Sequence, residues 1–247
     1  MKLEKTPNEE VNKQASTEND IFPTEPTFME NPEVLSERFE KTEEFLEKNR
    51  NLVGGIAAGV LVVVAGLFFF YNYKKTQNEE AQKEMFQAVY AFEADSLKKA
   101  LQGGGTGQGL EAIADEYSGT DAANLAEFYI AVAQLKQGKL DEALEAIGKF
   151  SSKDDLLQAR AYCITGDIYM EKGSFSEAEA NYKKAADLAP NKYLTPNYLL
   201  KLGLAQEKQN NFAGAAQTYA TVTTKYFDAA EAAEAKKYQA RAEQMAQ

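Results

Sequence analysis

Few side chains in this sequence are placed to do covalent chemistry. The neighbouring carboxylates Asp154–Asp155 and the pair Glu142–Glu145 could in principle share general acid and base work, and GGGTGQG at 103–109 has the composition of a phosphate-cradling loop. Against these stands the composition. The 247 residues include no histidine, no tryptophan and one cysteine, Cys163. Lack of histidine removes the usual general base and the commonest metal ligand, and a single cysteine excludes a disulfide within the chain. The glycine stretch follows no strand and is not closed by a lysine next to serine or threonine, so it reads as a flexible connection between two antiparallel helices. Both carboxylate pairs fall on exposed helix faces and linkers, where charge serves solvation. No catalytic residue, metal or cofactor is expected, and the chain reads as a non-enzyme.

The elements that organise the chain explain more. Leu52 to Tyr71, LVGGIAAGVLVVVAGLFFFY, runs twenty residues without a charge. At about 1.5 Å per residue it spans roughly the 30 Å hydrocarbon core of a bilayer, and Phe68, Phe69, Phe70, Tyr71 and Tyr73 crowd one end where an interfacial aromatic belt belongs. Fifty residues precede it, which is unlike a cleavable leader. The expectation is one uncleaved transmembrane helix over 51–73. Gly55 and Gly59 form a GxxxG pair continued by Val62 and Gly66, either a face on which another membrane helix docks or the ordinary glycine content of such helices. Lysines and arginines within fifteen residues number four before the span (Arg38, Lys41, Lys48, Arg50) and three after it (Lys74, Lys75, Lys83), too even to orient it.

Net charge is −11, with 7 basic and 13 acidic residues in the first fifty. No basic stripe exists to neutralise phosphates, which argues against a nucleic-acid partner. Residues 1–30 hold three prolines and few apolar residues and read as a disordered acidic arm. Asn31 and Pro32 then suit a helix start, and Leu35, Phe39, Phe45 and Leu46 make 31–50 an amphipathic juxtamembrane helix, either a partner-binding or membrane-surface helix or a solvated extension whose few apolar residues lie against headgroups. After the span, QNEEAQKEMFQAVYAFEADSLKKAL is expected to continue as one helix up to the glycine stretch, with a second helix over Leu110–Tyr117. These form a divergent first hairpin within 74–123.

A repeat follows. LKQGKLDEAL (135–144), MEKGSFSEAE (170–179) and KQNNFAGAAQ (208–217) align on Gly138, Gly173 and Asn210, spaced 35 and 37 residues apart. Around the middle copy, Tyr162, Gly166, Tyr169, Gly173, Phe175, Ala178, Tyr182, Ala185 and Pro190 stand where tetratricopeptide repeats carry their aromatic, small and proline residues. Three such repeats occupy 124–226, and DAAEAAEAKKYQARAEQ within 227–247 is a polar helix suited to capping the stack. The fold class is therefore all-α: an N-terminal transmembrane helix followed by an α-solenoid of tetratricopeptide-like hairpins with a C-terminal cap.

In that register the first helix of each hairpin lines a concave groove that can receive a peptide. Its candidate residues are Leu125, Phe128, Val132, Leu135 and Lys136, then Arg160, Cys163, Asp167, Met170 and Glu171, then Asn197, Leu200, Leu204, Glu207 and Lys208. The alternative is that the apolar members pack against the chain's own helix over 75–100 and close the groove.

The order of arm, anchor, hairpin, three repeats and cap, together with EKNRNLVGGIAAGVLV, EMFQAVYAFEADSL and DEYSGTDAANLAEFYIAVAQLKQGKLDEAL, resembles the YfgM family of single-pass bacterial inner-membrane proteins. The resemblance implies a cytoplasmic N-terminus, a periplasmic repeat domain and an ancillary role at the Sec translocon. The implied protein partners are translocon subunits, a PpiD-type membrane-anchored chaperone and unfolded exported clients. The acidic arm is longer here than is usual in that family. A structural scaffold in another envelope assembly, for secretion, motility or the cell wall, is the competing expectation.

Overall fold

The computed structural model describes residues 42–43, 45–105 and 107–247. The arm over 1–30 and the helix start at Asn31 lie outside the described residues. In chain order the helices are α1 (Arg50–Glu93), α2 (Leu97–Gln102), α3 (Leu110–Glu116), α4 (Asp121–Lys136), α5 (Leu140–Lys149), α6 (Asp155–Glu171), α7 (Phe175–Leu188), α8 (Thr195–Lys208), α9 (Phe212–Lys225) and α10 (Ala232–Met245). There is no strand among the described residues. The chain divides into two units between Leu67 and Phe68.

In the first unit, the apolar stretch of α1 has nothing packed on it: Leu52, Ile56, Val60 to Val64 and Leu67 are all exposed. It is not the core helix of a soluble fold, and it is long and apolar enough to cross a membrane.

In the second unit, α1 changes character after Lys74. Alanines and a methionine at Ala81, Met85, Ala88 and Ala91 recur at helical spacing and are buried, in one core with α3, α4 and α5. The helix does not run to Leu101 as its sequence suggests. It stops at Glu93, where Asp95 adopts a left-handed φ of 55° and the Ser96 N–H donates to the Ala91 carbonyl. This is the turn that also closes the three repeats. Gly138, Gly173 and Asn210 have φ of 73°, 75° and 61°, and the N–H of Lys139, Ser174 and Asn211 donates to the carbonyl of Gln134, Tyr169 and Gln206. The bond spanning five residues and the left-handed residue before its donor define a Schellman cap, which satisfies carbonyls orphaned at a helix end.

The first hairpin is thus α1 paired with a broken return helix, α2 and α3. Between these the glycine stretch folds tightly on itself: Gly104 and Gly107 bridge, and a Cβ on Gly109 would sit 2.1 Å from the Leu101 carbonyl oxygen. The hairpins α4–α5, α6–α7 and α8–α9 stack after it around two further cores. Helix α10 closes the last one with Ala235 and Ala242, both buried, and with Tyr238 at 5.6 Å from the Tyr219 ring. Its other residues are largely charged or polar and exposed, as a solenoid end requires.

Candidate functional site

The carboxylate pairs have structural duties. Asp154 is the N-cap of α6, its Oδ1 accepting from the Leu156 and Leu157 N–H at 2.8 and 3.0 Å, a contact that ordinarily contributes about 1 kcal/mol. Asp155 and Glu142 occupy the first turns of α6 and α5, where negative charge complements the helix dipole. Glu145 pairs with Lys149 at 3.0 Å.

The candidate groove residues divide by repeat. In α4, Phe128 is buried with its ring 5.2 Å from Phe150. Val132 and Leu135 are half-buried against the core that includes the inner face of α1. Lys136 donates to Asp95 at 2.9 Å and lies 5.5 Å above the Phe92 ring. Among these candidates Lys136 is thus the one that leans on the end of the chain's own long helix.

In α6, Asp167 is fully engaged. Its carboxylate accepts from Lys201 Nζ of α8 at 2.8 and 2.7 Å and from the Tyr182 hydroxyl of α7 at 2.7 Å. Lys201 also reaches Cys163 Sγ at 3.6 Å. Burial and then the Asp167 charge push the Cys163 thiol up to about 12, so it is neither a thiolate nor a nucleophile at neutral pH. The same two causes, in the same order, raise the Tyr182 hydroxyl. This cluster ties one repeat to the next. Lys201 escaped the sequence reading, although it lies 34 residues beyond Asp167, one repeat length. Met170 is half-buried beside the same core, and Arg160 is exposed.

In α8, Leu200 is buried among Tyr219, Val222 and Tyr226. Leu204 is half-buried and Asn197 exposed. Glu207 is held by Arg241 of α10 at 2.5 Å.

A groove that the sequence reading did not name lies between α1 and α4. It encloses about 420 Å³ and is lined by Gln82, Met85, Phe86, Val89, Tyr90 and Leu125. Phe86 and Tyr90 are 74% and 69% exposed, although the opposite face of the same helix is core. Their four-residue separation is the signal that could have found them: two aromatics on the solvent side of an amphipathic helix.

On the apolar stretch, a Cβ at Gly55, Gly59 or Gly66 would meet nothing within 4 Å, and Val62 is exposed. That face is open.

No curated protein matches this chain. The model of the tetratricopeptide repeat-like domain matches residues 43–155 and again 104–205, and a tetratricopeptide repeat model matches 198–226. The two overlapping matches together cover more than half of the chain, through the hairpins and turns described above. The chain belongs to the tetratricopeptide repeat-like domain family.

Proposed function

We propose that this chain is a non-catalytic adaptor anchored by the apolar part of α1, and that it serves as an ancillary subunit of a bacterial translocon, passing exported clients to periplasmic chaperones. The observation that carries the reading is the helix Arg50–Glu93 itself, which holds at one end an apolar stretch with nothing packed on it and at the other the first helix of the repeat stack. An interaction module on a membrane tether acts where its anchor sits. The finer part of the reading, with the N-terminus in the cytoplasm, the repeats in the periplasm and a PpiD-type chaperone among the partners, rests on the resemblance of the chain to the YfgM family.

Two surfaces suit a client or chaperone segment. One is the α1–α4 groove with Phe86 and Tyr90 at its rim. The other is what stays accessible of the inner helices, namely Arg160, Met170, Asn197 and Leu204. Both mix apolar and charged groups, as expected for extended or helical protein segments bound with little sequence preference. In the anchor, the open face of Gly55, Gly59, Val62 and Gly66 would accept a translocon helix.

Photo-crosslinkers at Tyr90, Arg160 and Asn197 of the full chain in native membranes, with the captured proteins identified, test this. Translocon subunits and a membrane-anchored chaperone are expected. Capture of only secretion, motility or cell-wall components would replace the adaptor by a scaffold of that machine.

A further inference from the structure

Counting α2 and α3 as one broken return helix, the helices of the second unit alternate in direction, so the connections between them fall on two edges. The tight left-handed turns at 94–96, 137–139, 172–174 and 209–211 form one edge, and the longer loops at 117–120, 150–154, 189–194 and 226–231 form the other. The two edges differ in chemistry. Beyond Lys74 the exposed large apolar residues are Phe86 and Tyr90 on α1, Met245 at the end of α10 on the tight-turn edge, and four on the long-loop edge: Leu156, Leu188, Tyr193 and Phe227. Tyr193 and Phe227 are 76% and 74% exposed. The tight-turn loops carry none among the described residues.

The long-loop edge is also the one tied to the end of the apolar stretch. Lys74 Nζ donates to the Ser118 carbonyl at 2.8 Å, and Asn78 Oδ1 accepts from the Ala122 N–H at 2.9 Å. Lys74 follows the aromatic cluster Phe68–Tyr73 directly. The first long loop therefore lies level with the residues expected at the lipid headgroups, and the later loops share its edge. Each of these carries an exposed lysine at or beside it, Lys153, Lys192 and Lys225, with Lys192 5.2 Å above the Tyr193 ring. Rings flanked by long cationic side chains are the side-chain chemistry of the membrane interface.

We propose that Tyr193 and Phe227 insert into the interface of the bilayer that α1 crosses, so that the repeat domain rests on the membrane along this edge. The proposal builds on the anchor reading. Insertion is carried by the rings, because Asp154, Asp155, Asp187, Asp228 and Glu231 on the same edge offset the lysines and leave no net attraction to anionic lipid.

Absence of tryptophan makes the test direct. Phe70→Trp, Tyr193→Trp, Phe227→Trp and Gln137→Trp are made singly in the full chain and reconstituted into phosphatidylcholine vesicles brominated high in the acyl chains. Phe70→Trp reports the anchor, and Gln137→Trp the tight-turn edge. Quenching of the Tyr193→Trp and Phe227→Trp emission to within about twofold of the Phe70→Trp value, with Gln137→Trp unquenched, is expected. If Phe70→Trp is quenched and either loop variant is not, the proposal is overturned, and the aromatic row becomes surface for a protein partner. Quenching of Gln137→Trp as strongly as the loop variants also overturns it, since the contact would then not be specific to this edge. An unquenched Phe70→Trp sinks the anchor reading and this proposal with it.

Discussion

A Cβ on Gly203 would stand 2.3 Å from the ring of Tyr219. The same relationship holds one repeat earlier, where a Cβ on Gly166 would lie 2.6 Å from Tyr182. Glycine on the first helix and tyrosine on the second are complementary shapes, and both tyrosines are buried. At the equivalent positions of the first repeat stand Ala131 and Ile147, also buried, a larger residue facing a smaller one. Paired volumes, more than either residue alone, hold each hairpin at its spacing.

Gly203→Ala should therefore destabilise the protein by about 1–3 kcal/mol through overpacking. Combining it with Tyr219→Ile, the pairing of the first repeat, should recover part of the loss. Urea midpoints of Gly203→Ala, Tyr219→Ile, the double mutant and the wild type check this, and a double mutant weaker than the sum of its single changes would contradict the volume argument.

Lys201→Met removes the donor that ties α8 to α6 and leaves Asp167 with only the Tyr182 hydroxyl. The pair is about one-third exposed, so solvent limits the effect, and a loss on the order of 1–2 kcal/mol is expected. Asp167→Asn in the same background should restore some of it. Chemical denaturation followed by circular dichroism measures both.

Alkaline pH should destabilise the fold. Cys163 moves from an ordinary 9.0 to about 12 in the folded state, and burial, with Cys163 adding to it, takes Tyr198 from 10.0 to about 12. In both cases the native state holds its proton more tightly than the unfolded chain does. The contribution is fully present below the unfolded pKa and is lost as pH rises towards the folded one. Stability should be nearly flat through neutral pH and decline between about pH 9 and 12, by up to about 1.4 kcal/mol per pH unit for each group. Cys163→Ala should soften that decline, as read from denaturation midpoints at pH 8 and 10.5.

Phe86→Ser with Tyr90→Ser should leave stability within about 0.5 kcal/mol, since both side chains are exposed. Crosslinking from neighbouring Gln82 to protein partners should fall severalfold. Unchanged yields in a folded double mutant would move the binding surface to the inner helices.

Much of the architecture was legible because it rests on local rules. Uncharged length marked the apolar helix, and the alignment of Gly138, Gly173 and Asn210 found three turns whose left-handed geometry is shared. The fourth turn hid because Asp95 fills the left-handed position there, and an aspartate marks such a turn far less plainly than a glycine does. The groove residues were harder. Whether Leu200 faces a cleft or the next hairpin depends on how neighbouring repeats pack, and Phe128 is covered by Phe150 from another element. Lys201 and Asp167 meet only because the stack brings residues 34 apart together. Lys136 offered no hint of its partner, since Asp95 lay in what read as an unbroken helix.

The shared Schellman turn makes hairpins interchangeable at their joints. Excising residues 139–173 would rejoin Gly138 to Ser174 and rebuild the same cap, producing a chain shortened by one structural module. The hybrid hairpin would then set Ala131 opposite Tyr182, a methyl where that ring tolerates only hydrogen. Trimming Ala131 to glycine is the change that should let the shorter array fold, so the grammar by which such arrays gain or lose modules lies in matched positions seven residues before and nine after each turn.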